Sequence, residues 1–147
     1  MMFRRKALPE ELVPSFRAFH ELLEEIEPAQ AGLTEVVPGT RLPGRPLDDA
    51  LAEFVARLTR ARDLMAAWRR PELEDEWSAC MDGLAIALDR ATQLLDDAYE
   101  ASGFGSLVGV VEGLLDPLEP FAQAEERFAS LRRRTERPRG QRARHGA

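Results

Sequence analysis

The sequence predicts an all-α fold: an antiparallel four-helix bundle, its last helix kinked near Pro117, with a disordered basic C-terminal tail. Three observations predict it. Apolar residues recur at alternating spacings of four and three in four successive segments, the period of one helical face. Prolines, glycines and acids stand between those segments where helix starts and stops are expected. The chain has 147 residues, 44% of them hydrophobic, which is enough to bury one core without covalent staples.

The first helix is expected over 14–27. Leu12, Phe16, Phe19, Leu23 and Ile26 form its stripe. Pro14 suits a first turn, and Pro28 is expected to end the helix because the residue before a proline avoids the α region. Residues 28–46 then read as a Pro/Gly-rich connector with four prolines and three glycines, and Leu33–Val37 as a short turn within it. A connection of this length between packed helices is either functional or a spanning strap.

The second helix starts at Pro46, with Asp48 and Asp49 in its first turn, where acids complement the helix dipole. Leu47, Leu51, Phe54, Leu58, Ala61, Met65 and Trp68 give the clearest stripe in the chain. Pro71 divides it from the third helix. Arg69 and Arg70 lie before the break, and Glu72, Glu74, Asp75 and Glu76 after it. This sign change fits two opposed helix ends and a tight hairpin. Trp68 and Trp77 flank the turn and are expected to stack at the bundle end.

The third helix is read over 71–101, with Trp77, Met81, Leu84, Leu88, Ala91, Leu95 and Ala98 on one stripe, widened by Cys80, Ala87 and Leu94. Asp75, Asp82, Asp89 and Asp96 run along the opposite, solvated face. Gly103 is placed as the C′ residue and Ser106 as the cap of the fourth helix. Asp116-Pro117-Leu118-Glu119 reads as a fresh helix start, which divides that helix near 116–117. From Arg132 the apolar period stops. The domain is therefore drawn as 1–131 and the disordered tail as 132–147.

Net charge is −6, but its distribution is uneven. Residues 7–131 hold 25 acids against 10 bases, while residues 1–6 carry three cations and no acid. The tail carries Arg132, Arg133, Arg134, Arg137, Arg139, Arg142 and Arg144 against Glu136. Basic ends on an acidic body make nucleic acid or an anionic membrane possible partners through the tail, although no aromatic is interleaved to stack on bases. No run is long and apolar enough to span a membrane, and no apolar segment follows the first cations as in an export signal. A cytoplasmic location is expected, and one cysteine, Cys80, forbids an internal disulfide.

Catalytic constellations fail one by one. Gly39-Thr-Arg-Leu-Pro-Gly44 has the two-glycine spacing of a phosphate loop. It is followed by Arg45 and Pro46 instead of the lysine and hydroxyl that such a loop needs. What remains there is a candidate anion or small-ligand site at Thr40, Arg41 and Arg45, in a pocket under the connector. A di-iron bundle needs two Glu-x-x-His pairs, and neither His20 nor His145 has a glutamate three residues before it. No nucleophile–base arrangement can be assembled. No cofactor, no metal and no catalytic residue are assigned.

Gly105, Gly109 and Gly113 recur every four residues in the fourth helix. Each costs about 1 kcal/mol of helix propensity against alanine, so the row is expected either to pack closely inside the bundle or to form an interface. The functional expectation is a non-catalytic protein-interaction or self-associating module, a homodimer being one form. A small-ligand or enzymatic bundle and a nucleic-acid or membrane regulator are the alternatives.

Overall fold

The computed structural model describes residues 7–37, 47–96 and 104–132, with side chains in the last stretch from Val108 onward. Among the described residues every regular element is helical. A short 3-10 turn, Glu10–Leu12, leads into α1 (Val13–Thr34). Next come α2 (Leu47–Leu64), closed by a 3-10 turn at Met65–Trp68, and α3 (Glu74–Asp96), opened by another at Pro71–Leu73. The fourth helix is built in two lengths, α4 (Phe104–Leu115) and α5 (120–132), joined through a 3-10 turn at Asp116–Leu118.

The helices form a closed up-and-down circuit. Along α1 and α2, Phe19 meets Trp68 and Glu25 meets Arg57 and Arg60, so the two run antiparallel. Between α3 and the fourth helix, Arg90 reaches the Gly113 carbonyl and Arg127 reaches Glu76, again antiparallel. Phe16 against Phe128 closes the circuit between α1 and α5. The seam holds an aromatic cluster of Phe19, Trp68, Phe121 and Phe128, with ring centroids 4.9–6.4 Å apart. Such tilted and edge-on pairs add to the area they bury.

The second helix follows its stripe closely. Leu51, Phe54, Leu58, Ala61, Met65 and Trp68 are all buried, and Leu47 partly so. At Pro71 the chain does break. Arg69 and Arg70 are extended, and the helices fold back as a hairpin with a two-residue link. Arg69 binds Glu74 through two hydrogen bonds of 3.2 and 2.7 Å and lies 3.9 Å from the Trp77 ring centroid. The same contact holds the half-exposed Glu74 carboxyl below its ordinary range and raises the Arg69 guanidinium. The expected stacking of the two tryptophans is replaced by separate roles. Trp68 packs inward on Phe19 and Phe128, and Trp77 donates Nε1–H to the Met65 carbonyl at 2.8 Å.

Four boundaries need correction. α1 does not stop before Pro28 but runs through it to Thr34. Proline inside a helix removes one backbone bond and costs about 3 kcal/mol; Ala29, Leu33 and Val36, buried beyond it, offset that cost by extending the apolar face. The 28–46 connector therefore loses its first seven residues to helix. The α-helix after the kink does not restart at Pro117 but at Pro120, a second proline in the first position. α4 begins at Phe104, so Ser106 sits within its first turn and is no cap. Arg132, drawn as the first residue of the tail, belongs to α5, its guanidinium 4.7 Å from the Phe16 ring centroid. Ala98 and Gly103 lie outside the described residues.

The third helix buries the middle of its expected stripe: Cys80, Leu84, Ala87, Leu88 and Ala91 are buried, with Gly83 beside them, while Trp77, Met81 and Leu95 are only partly covered. The buried face is mostly made of small residues, which lets a neighbouring backbone approach. At Gly83 that neighbour is Pro117: a Cβ on Gly83 would run into the Pro117 carbonyl. The 3-10 turn of the fourth helix is thus seated directly on the backbone of α3. Asp75, Asp82, Asp89 and Asp96 are all exposed, as the sevenfold spacing predicts.

Candidate functional site

The glycine row does not lie where close packing would put it. Gly109 is exposed, and a Cβ added there would meet nothing within 4 Å. A Cβ on Gly113 would touch only the end of the Arg90 side chain, at 4.0 Å. The two glycines instead open the wall of a groove of about 330 Å³ between α3 and α4, shared with Arg90, Gln93, Leu94, Val110 and Leu114. Gly105 lies in the first turn of α4, outside the residues whose surroundings are described.

Local sequence makes this groove. α4 carries a single charged residue, Glu112, over Phe104–Leu115, and it is the most apolar of the helices. Val111 and Leu114 are buried on its inner side. Its outer side has no large residue at 109 or 113, so Leu94 and Val110 stay partly open. Arg90 crosses from α3 and donates to the Gly113 carbonyl at 2.8 Å. That bond props the guanidinium over the groove without closing it. The two large hydrophobics left exposed among the described residues are Ile86 at 44%, on α3, and Val108 at 36%, on the side of α4 away from the groove. Ile86 is one turn before Arg90 and therefore on the same side of α3.

The remaining sequence candidates divide in two. Thr40, Arg41 and Arg45 lie outside the described residues, as do Arg133, Arg134, Arg137, Arg139, Arg142 and Arg144. His20 is exposed and meets Phe16 edge-on, with ring centroids 4.6 Å apart. Among the described residues no group of three or more histidine, cysteine or acidic side chains could hold a metal ion. No described helix is long and apolar enough to cross a membrane.

Cys80 is buried within the small-residue face of α3, and burial, helped by the charge of nearby Glu76, pushes its thiol up to about 12. The thiolate is the reactive form, so this cysteine is inert in the folded chain. Native protein is expected to react with a thiol reagent only at the rate at which it opens. Denatured protein should react at once, and a fast native reaction would contradict the placement. The sign of the pH effect follows. Between the ordinary thiol range and about 12 the folded state holds its proton more tightly, so stability falls as pH rises through that window. Denaturation midpoints measured above pH 9 should fall less steeply in Cys80→Ala.

The sequence pointed to Gly109 and Gly113 but not to the role of Gly83. Its signal was present: Cys80, Gly83, Ala87 and Ala91 recur at helical spacing, and only a search for glycine alone passes over them.

No protein-family model matches the chain, and none of the curated proteins or solved structures it was compared with does so.

Proposed function

We propose that this chain is a helical interaction module that associates with a second copy of itself through the groove between α3 and α4. The observation that supports this reading is the open face of α4. An apolar helix carries an outward-facing glycine, Gly109, although glycine costs about 1 kcal/mol in a helix interior and nothing inside the fold uses the space there. The exposed Ile86, on the Arg90 side of α3, extends the apolar surface, and surfaces of that kind mark association sites. Among the described residues Arg90 is the one charged residue lining the groove. In a side-by-side pair of α4 helices each copy offers the other a small-residue seam.

Gly109 separates the interface from the fold. Gly109→Ala meets no neighbour, so it should raise the stability of the single chain by about 0.5–1 kcal/mol through helix propensity. Gly109→Leu should leave the circular dichroism unchanged but fill the seam. Sedimentation equilibrium is expected to show concentration-dependent association of the wild type and a monomer for Gly109→Leu. A wild type that stays monomeric throughout the concentration range would overturn the proposal.

A further inference from the structure

We infer that the arginine-rich segment 133–147 docks in cis on a second, acidic groove, which lies between α1 and the junction of α4 with α5. This groove has a volume of about 310 Å³. Its floor is apolar, with Leu23, Ile26 and Phe121 all buried. Its rim carries Glu27, Asp116, Glu119 and Glu125, all exposed, and no cation lines it. None of these four carboxylates has an ion pair among the described residues, whereas Glu25, Glu53, Glu72, Glu74 and Glu76 each meet an arginine. This set stands open together around an apolar floor.

The occupant follows from charge and reach. Residues 133–147 hold six arginines and one glutamate. The segment leaves α5 at Arg132, whose position against Phe16 fixes its root. From there back to the level of Ala122 is about 15 Å of helix, at 1.5 Å per residue. Fifteen residues of extended chain span roughly 50 Å, so about a third of the segment covers the distance. Arginine suits the groove, because its methylene stem lies on apolar surface while its planar head binds carboxylates in pairs. A tether this short holds the segment at an effective concentration of about a millimolar, so even weak contacts are populated. The N-terminal Arg4-Arg5-Lys6 offers only half as many cations. The other acidic row, Asp75 to Asp96, stands in single file on an exposed helix face and has no such floor.

The test uses the full chain and changes only the segment, so the bundle is not put at risk. Arg133, Arg134, Arg137, Arg139, Arg142 and Arg144 are replaced together by glutamine. Backbone amide resonances of this variant and of the wild type are compared by NMR at low salt. Shifts concentrated at Glu27, Asp116, Glu119, Ala122 and Glu125, and unchanged on dilution of the wild type, support the inference. Their disappearance from the comparison in high salt supports it further, since exposed charge pairs are screened within a Debye length. Equal shifts along Asp75, Asp82, Asp89 and Asp96 mean diffuse attraction to the acidic body and overturn it. So does the absence of any shift. Shifts that fade as the wild type is diluted assign the contact to another copy's segment and overturn docking in cis. Because the readout is the segment's own contact, failure here is distinct from failure of association through the α3–α4 groove.

Discussion

Replacing Trp68 with alanine is expected to cost about 3–5 kcal/mol of stability, the range for a fully buried large aromatic. The side chain is 0% exposed and joins the helices at the centre of the seam. Its ring meets Phe19 from α1 and Phe128 from α5, and its Nε1–H points at the Met65 sulfur at 3.3 Å. No neighbour can collapse into the space, because Phe19 and Phe128 are themselves packed at ring centroids 5.2 Å apart. Marginal stability of small domains is only about 5–15 kcal/mol, so the variant should unfold at far lower denaturant. Trp68→Phe should recover much of the loss by keeping the ring contacts. A urea midpoint within experimental error of the wild type in Trp68→Ala would show that the seam is not where the fold is held.

Gly83→Ala is also expected to destabilise, although it adds only one methyl group and improves helix propensity. Overpacking typically costs 1–3 kcal/mol, occasionally more, and here the obstacle is the backbone carbonyl of Pro117. A side chain could rotate away; a carbonyl within a 3-10 turn held by the Glu119 N–H to Asp116 carbonyl bond can move only with the turn. With the obstacle a fixed carbonyl the cost falls at the upper end of that range, and about 1 kcal/mol of propensity gain leaves a net loss of roughly 2 kcal/mol. Gly83→Val should exceed it. The contrast with Gly109 is sharp: the same substitution on two helical glycines should have opposite signs. Thermal or urea melts of the two alanine variants test it together, and equal signs would refute the packing assigned to one of them.

The parts of the fold that were legible in the sequence are those governed by one dominant local signal. The α2 stripe from Leu51 to Trp68 was readable because six apolar residues keep one period and neighbouring helices cover that face evenly. Pro71 was readable because proline and a change in charge sign agree. Pro28 misled because proline's local cost is visible in the sequence, while the burial of Leu33 and Val36 that outweighs it depends on other helices. Most of the α3 face was legible, since Cys80, Leu84, Ala87, Leu88 and Ala91 are buried where the stripe put them. Gly83 was not, because only the close approach of Pro117 requires a residue without a side chain there. The groove was half legible: the glycine spacing could be seen, but whether it faced the core or the solvent depended on where α3 lay. The acidic groove was not legible at all, because Glu27 and Glu125 come together only when the circuit closes.

The two-residue link at Arg69–Arg70 also bears on how the chain reaches this structure. Closing so short a loop costs little chain entropy, and contacts near in sequence form fastest. The α2–α3 hairpin, with Met65 already bonded to Trp77, is therefore expected to assemble before the Phe16–Phe128 contact, whose partners come from opposite ends of the chain. Substitutions in the hairpin should slow folding, while those at the α1–α5 contact should mainly speed unfolding. The order of assembly is thus from the middle of the sequence outward, and the two termini are the last to arrive.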